Sequence, residues 1–314
     1  MADVLLDTNQ KIVLTDVAYT SGRNADTIRA LKEKYPFLEV GTIGTSVLGT
    51  ELSYIKIGNG RKKVFYNAAF HANEWITTPV LLRFAEDMAE AYISERQLNG
   101  VNVNRILRNV SLYLVPMVNP DGVDLVNGAL TNELAIARAE QIAARYPAIP
   151  YPSGWKANIN GVDLNLQYPA GWEMARQIKF SQGFVSAAPR DFVGEGPLTE
   201  PESLAVYNFT LAQNFDLILA YHSQGEVIYW KFLNYEPPRS REIALYFGYV
   251  SGYTVEETPE TSGYAGYKDW FIQNYNRPGY TIEVGMGENP LPIEQFPKIY
   301  ADNIGILLGG MTEV

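Results

Sequence analysis

The stretch Phe65-Tyr-Asn-Ala-Ala-Phe-His-Ala-Asn-Glu-Trp75 carries an apolar strand pattern straight into two potential metal ligands, His71 and Glu74. The chain has only two histidines, and the other, His222, sits in a matching context, Phe215-Asp-Leu-Ile-Leu-Ala-Tyr-His-Ser-Gln-Gly225. Each is a hydrophobic strand with histidine at its end and small or polar residues after it. Loops at the carboxyl ends of strands are where open α/β sheets place their chemistry. A lone His-x-x-Glu pair is as ordinary as a surface hydrogen bond; a second histidine at a second strand end changes its meaning. A catalytic zinc takes three nitrogen or carboxylate ligands and leaves a fourth position for water. His71, Glu74 and His222 make up that set, for a single zinc ion.

Composition narrows what such a site could serve. The 314 residues are 46% hydrophobic, enough for a sizeable core, and the formal net charge of −10 is opposite to what a general grip on nucleic acid requires. With no cysteine, neither disulfides nor thiolate metal sites are available, so a metal must be held by histidine and carboxylate. The start, Met1-Ala-Asp-Val-Leu-Leu-Asp-Thr8, lacks the basic and apolar regions of a signal peptide, and no segment has the length of a membrane span. The expectation is a cytoplasmic protein with no membrane or nucleic-acid partner. Oligomeric state is not set by the sequence.

Outward from the two histidines, residues 27–35 read as an amphipathic helix and 38–44 and 50–58 as strands. Asn59-Gly60 is a hairpin signal that pairs the second of these with a strand over 63–70. Pro79 suits the first turn of a helix continuing to residue 93. A strand at 110–116 enters Asn119-Pro-Asp-Gly122, which has turn chemistry. The alanine-rich span 130–145 looks helical and is a candidate insertion, while 153–172 is dense in glycine, asparagine and aromatics, too polar for core and long enough to be functional. Thr199 is placed to cap a helix leading to the His222 strand. A glycine- and tyrosine-rich loop at 263–270, a strand at 278–285 and a closing helix at 294–308 complete the chain. With no repeat or linker, one mixed α/β domain over residues 1–314 is expected.

Glu283 is a single carboxylate within the strand Pro278-Gly-Tyr-Thr-Ile-Glu-Val-Gly285, where burial is costly unless the charge has a use. Beside a metal it is a general base, because zinc brings the pKa of its water to about 7 and a nearby carboxylate can take the proton. The developing oxyanion needs a second positive group, and Lys156 in the polar loop is the candidate.

Taken in order, His71-x-x-Glu74, Asn119-Pro-Asp-Gly122, Gly161-Val-Asp-Leu-Asn165, Gly194-x-x-Pro-x-Thr-Glu-Pro-Glu202, His222-Ser223 and Glu283 resemble the zinc metallocarboxypeptidases of the M14 type over roughly residues 20–310. The resemblance implies a central mixed sheet of about eight strands flanked by helices, zinc on His71, Glu74 and His222, Glu283 as base, Asn165 as a substrate-binding residue and Tyr264, in competition with Tyr267, as a tyrosine that closes over substrate. Typical members follow that asparagine with an arginine that grips a peptide's terminal carboxylate. Here Leu166 stands in its place and cannot make a charge-assisted pair. Arg190 and Arg277 are alternatives for that task.

The wording from Trp155 to Glu173 resembles the bacterial branch of γ-D-glutamyl-(L)-meso-diaminopimelate peptidases, which cleave peptidoglycan stem peptides, although no LysM wall-binding module precedes it. The function implied is zinc-dependent hydrolysis of that amide in small peptidoglycan-derived peptides. Two alternatives stand beside it: a zinc carboxypeptidase or deacylase acting on other small peptides or acyl-amino acids, and a silent muropeptide-binding protein.

Overall fold

The structure, a computed structural model, describes residues 11–314; the opening residues read for a leader lie outside them. Eight strands form one sheet: β1 (Glu39–Thr45), β2 (Glu51–Ile57), β3 (Lys62–Ala68), β4 (Val110–Val115), β5 (Leu217–His222), β6 (Val227–Tyr229), β7 (Thr254–Glu256) and β8 (Gly279–Glu283), in the spatial order β1-β2-β4-β3-β5-β8-β6-β7. Neighbours β4, β3, β5 and β8 run parallel, while β1, β2 and β6 meet their inner neighbours antiparallel. This is the mixed sheet expected from the resemblance.

The ten helices among the described residues are α1 (Ser21–Lys34), α2 (Thr77–Ile93), α3 (Val103–Asn109), α4 (Pro120–Val126), α5 (Glu133–Ala143), α6 (Trp172–Ser181), α7 (Pro201–Gln213), α8 (Ser240–Ser251), α9 (Tyr267–Tyr275) and α10 (Phe296–Thr312). None of them is long and apolar enough to cross a membrane.

The central strands read as unbroken apolar runs because both of their faces are covered. Alternate residues go to opposite cores. Val64, Tyr66, Leu217 and Leu219 join the core under α1, α2, α8 and α10, whereas Phe65, Ile218 and Ala220 join the one under α7 and α9. Tyr66 shows how closely the layers meet: its hydroxyl donates to the Leu307 carbonyl at 2.8 Å, and a Cβ on Gly310 would lie 2.4 Å from that oxygen.

Three expectations are corrected here. β2 and β3 do not form a hairpin, because β4 inserts between them, antiparallel to one and parallel to the other. Gly60 is needed instead for a close approach, since a Cβ there would sit 1.8 Å from the backbone of Asn109. Asn119-Pro-Asp-Gly122 is a helix start rather than a turn: Asn119 caps α4 by accepting the Gly122 N–H at 3.1 Å, with Pro120 at the first helical position. Thr199 does not cap α7, whose N-cap is Glu200; its hydroxyl and N–H bond the side-chain oxygen of Gln167 instead.

The stretch 153–172, expected to be too polar for core, is largely buried. Its amides supply their own partners, which is what makes burial affordable. Asn158 accepts the N–H groups of Asn160 and Val162 and donates to Glu200 and Glu202, while Gln167 donates to the Val193 and Gly196 carbonyls. Trp155, Ala157 and Ile159 pack on Ala135, Ala139 and Ile142, so α5 buttresses this loop.

Beneath the loop, burial pushes the Glu202 carboxyl from its ordinary 4.5 up to about 7. The folded state therefore holds a proton that the unfolded chain releases, so this group's contribution is complete below pH 4.5 and is lost as pH rises through about 7. Melting temperatures of wild type and Glu202→Gln, taken from pH 4 to 8, are expected to converge at the acid end and diverge in favour of the variant at the alkaline end. Parallel curves would remove the assignment.

Candidate metal centre

Three adjacent parallel strands, β3, β5 and β8, end at the site. Glu283 and His222 are the last residues of their strands and lie directly opposite in register, which turns both side chains to the same face. Three residues beyond β3, His71 precedes a 3-10 turn, Ala72–Glu74, that is closed by the Glu74 N–H on the His71 carbonyl at 3.1 Å. Residues three apart eclipse in such a turn, so Glu74 stacks over His71. The His-x-x-Glu spacing is thereby converted into a pair of neighbouring donors.

The Nδ1 atoms of His71 and His222 lie 3.2 Å apart, and each is 2.9 Å from a Glu74 oxygen. Donors bound at about 2.0–2.1 Å to one tetrahedral zinc are separated by about 3.3 Å, so these residues fit the ion. The His71 imidazole is also oriented for it. In the neutral ring that a metal requires, His71 Nε2 donates to Asp163 Oδ1 at 3.1 Å, which leaves the Nδ1 lone pair facing Glu74 and His222.

The local field favours positive charge. Burial alone would lower the His71 imidazole, but Glu74 and Asp163 outweigh it and raise it to about 9. Burial would raise Glu74, yet His71 and Lys156 hold it well below the usual carboxylate range. His222 is pulled below its ordinary value, chiefly by burial.

The polar loop delivers the remaining groups. The Lys156 carbonyl accepts the Ala72 N–H at 3.1 Å, which sets its side chain beside the 3-10 turn with Nζ 2.9 Å from Glu74 Oε1. Asn119 Nδ2 bonds the carbonyls of Phe70 and Ala157, tying the exit of β3 to this loop. Glu283 is half-buried, and its carboxylate has no hydrogen-bond donor among the described residues. Burial pushes it up, Glu74 adding to the effect, to about 8.

Two cavities meet at this point, one of about 250 Å³ and one of about 540 Å³. Lys156, Arg190, Tyr229 and Glu283 line both. Asn165 lines the smaller; its Oδ1 accepts the Tyr267 N–H at 3.0 Å, which turns the amide nitrogen the other way.

The remaining expectations fall elsewhere. Tyr264 packs edge-on to Phe232 and lines a separate neighbouring cavity, and Tyr267 is core, with its hydroxyl on Thr210. Arg277 bonds the carbonyls of Asn214 and Phe215 at the opposite end of β5 from the site, whereas Arg190 is in the site. Asp163 and Tyr229 are further residues of the site. For Asp163 the signal was present in Gly161-Val-Asp-Leu-Asn165, but only its spatial partner reveals its task.

Fold and site together define a zinc metallopeptidase built on a mixed α/β sheet. Residues 25–305 match the peptidase M14 family, zinc carboxypeptidase, and the chain belongs to it. It is 47% identical over 285 residues to the gamma-D-glutamyl-L-diamino acid endopeptidase 1 of Lysinibacillus sphaericus, covering 90% of this chain and 70% of that protein. Over 285 residues it is also 42% identical to the uncharacterized protein YqgT of Bacillus subtilis (strain 168), covering 89% and 73% of the two chains. The thrombin activatable fibrinolysis inhibitor superposes with a TM-score of 0.72 over 98% of this chain and 78% of its own, at 17% identity, a likeness of fold.

Removing one ligand with His222→Ala is expected to bring zinc content well below one per chain and to abolish activity. Unchanged stoichiometry would exclude that residue as a ligand. Asp163→Asn keeps the shape but loses the charge behind His71, and is expected to weaken zinc about 10- to 100-fold, read by competition with a chelator and independently of turnover.

Proposed function

We propose that the protein hydrolyses the amide between the side-chain carboxyl of D-glutamate and meso-diaminopimelate in small, soluble peptidoglycan-derived peptides. The observation that carries this is the 47% identity, across 90% of the chain, to a relative named for the γ-D-glutamyl-diamino acid bond. Leu166 agrees with it. In the position where the resemblance expects an arginine for a protein's C-terminus, this chain has an apolar side chain on the cavity wall. Family membership favours peptide hydrolysis over the deacylase and silent-binder alternatives.

Held by His71, Glu74 and His222, zinc would act as a Lewis acid and bring the pKa of its water to about 7. Glu283, at the junction of the two cavities and free of protein donors, in its ionised form takes a proton from the attacking water and returns it to the departing amine. The Lys156 ammonium, where the two cavities join, places positive charge beside the carbonyl oxygen as negative charge develops. Asn165 offers its amide N–H groups to the bound peptide. Asp163 keeps the His71 ring in the tautomer and orientation that binding requires.

Incubated with L-Ala-γ-D-Glu-meso-diaminopimelate, the enzyme is expected to release L-Ala-D-Glu and free diaminopimelate, identified by mass spectrometry, and to leave an ordinary L-peptide intact. Trimming of the L-peptide with the tripeptide untouched would overturn the proposal. Glu283→Gln is expected to retain zinc while turnover falls about a thousandfold; a fully metallated variant working at the parental rate would take the base role away from this residue.

A further inference from the structure

Four basic side chains face the smaller cavity: Lys156, Lys179, Arg190 and Lys268. Lys156 is paired with Glu74 at the metal site. Two of the others, Lys179 and Lys268, are 8% and 4% exposed, and buried ammonium groups are costly unless their donors are used.

Lys268 has a structural explanation. Its ammonium donates to the Lys231 carbonyl at 2.7 Å and the Thr258 hydroxyl at 3.3 Å and is ion-paired with Asp269 at 2.6 Å, so its charge is matched within the protein. Lys179 does not. In the last turn of α6, it has one partner for its ammonium among the described residues, Asp191 Oδ1 at 2.6 Å. An ammonium carries three N–H groups, so two remain for the cavity that Lys179 lines together with Asn165, Leu166, His71 and Glu283.

The position of this lysine is set from the metal outward. Asp191 holds Lys179 with one oxygen and Arg190 Nε, at 2.7 Å, with the other. Its backbone is in the left-handed region, at φ +65°, which aspartate tolerates better than most side chains. In that conformation its N–H donates to Asp163 Oδ2 at 3.2 Å, while Asp163 Oδ1 accepts from His71. A continuous chain of hydrogen bonds therefore runs from a metal ligand to an ammonium with free donors, across a cavity whose wall is apolar at Leu166.

We propose that Lys179 is a specificity-determining residue that reads a carboxylate of the leaving diamino acid, supplying the positive charge that Leu166 cannot. This rests on the bond assigned under Proposed function, because it is the residue released from that bond that would occupy the smaller cavity. The ligand class is an amino acid with a free carboxylate, and a charge-assisted hydrogen bond gives the contact its strength.

The test uses the full chain with zinc and two tripeptides, L-Ala-γ-D-Glu-meso-diaminopimelate and its analogue with both diaminopimelate carboxylates converted to carboxamides. Wild type is expected to prefer the carboxylate form at least tenfold in kcat/KM, mostly through KM. In Lys179→Gln that ratio is expected to fall to about twofold, and Lys179→Arg is expected to restore most of it. Lys179→Met, which retains the hydrophobic stem, serves as a second uncharged variant should the glutamine variant fold poorly. A wild type indifferent to the carboxylates overturns the proposal without any variant. So does an uncharged variant that loses rate equally on both substrates as its melting temperature falls, since that is the signature of a merely structural lysine. Cleavage of neither tripeptide by wild type removes the bond assignment itself, whereas cleavage with an unchanged ratio in the uncharged variants removes only the role of Lys179.

Discussion

Backbone pairing between β5 and β8 sets His222 opposite Glu283, and the chemistry of the molecule depends on that register. A slip of one residue would turn each side chain to the other face of the sheet. The register is secured by burial on both sides: Leu217, Leu219 and Tyr221 belong to one core and Ile218 and Ala220 to the other, so neither set can exchange places without opening cavities. On the other flank of β5, Ala68 pairs with Tyr221 and carries the chain to His71 three residues on. Ligands distant in sequence are thus located by the most rigid part of the fold, and the short turn through Glu74 completes the set.

The second support is polar. Residues 155–167 would be poor core material by composition, yet Asn158 and Gln167 are fully buried, with donors and acceptors matched to Glu200, Glu202 and main-chain groups. A satisfied network of this kind is rigid, whereas a half-satisfied one would be worse than hydrocarbon. Its rigidity has a use here, because this loop carries both Lys156 and Asp163 to the edge of the site. The motif from Gly194 to Glu202 holds the loop from below, through Asn158 and Gln167.

The sequence made the metal ligands legible because histidine is so rare in this chain: two imidazoles, each at the end of an apolar run, leave few other readings. Glu283 was legible for a similar reason, as a lone charge in an apolar strand. The helices flanking the sheet were visible in part from their periodicity; α1 begins six residues earlier than the pattern implied, at Ser21, where Thr20 caps it. What could not be read depended on partners far away in sequence. Asn59-Gly60 has hairpin chemistry, but β4 competes for the edge of β2 and wins through a fully buried face. Asn119 looks like a turn residue until its side chain is seen capping a helix and holding two carbonyls of other segments. Tyr264 and Tyr267 could not be told apart by spacing, and neither lines the cavity beside the ligands. Lys179 carried no local signal at all: a lysine near a helix C-terminus is favourable anywhere, and only the cavity in front of it distinguishes it.

Asp163 has two oxygens with separate duties, one behind His71 and one on the Asp191 backbone. Groups that share a partner in this way do not respond additively to mutation. Cation affinity and choice of substrate are therefore harnessed together in one carboxylate, and attempts to retune selectivity by rebuilding the Asp191 corner will also alter how firmly the metal is retained.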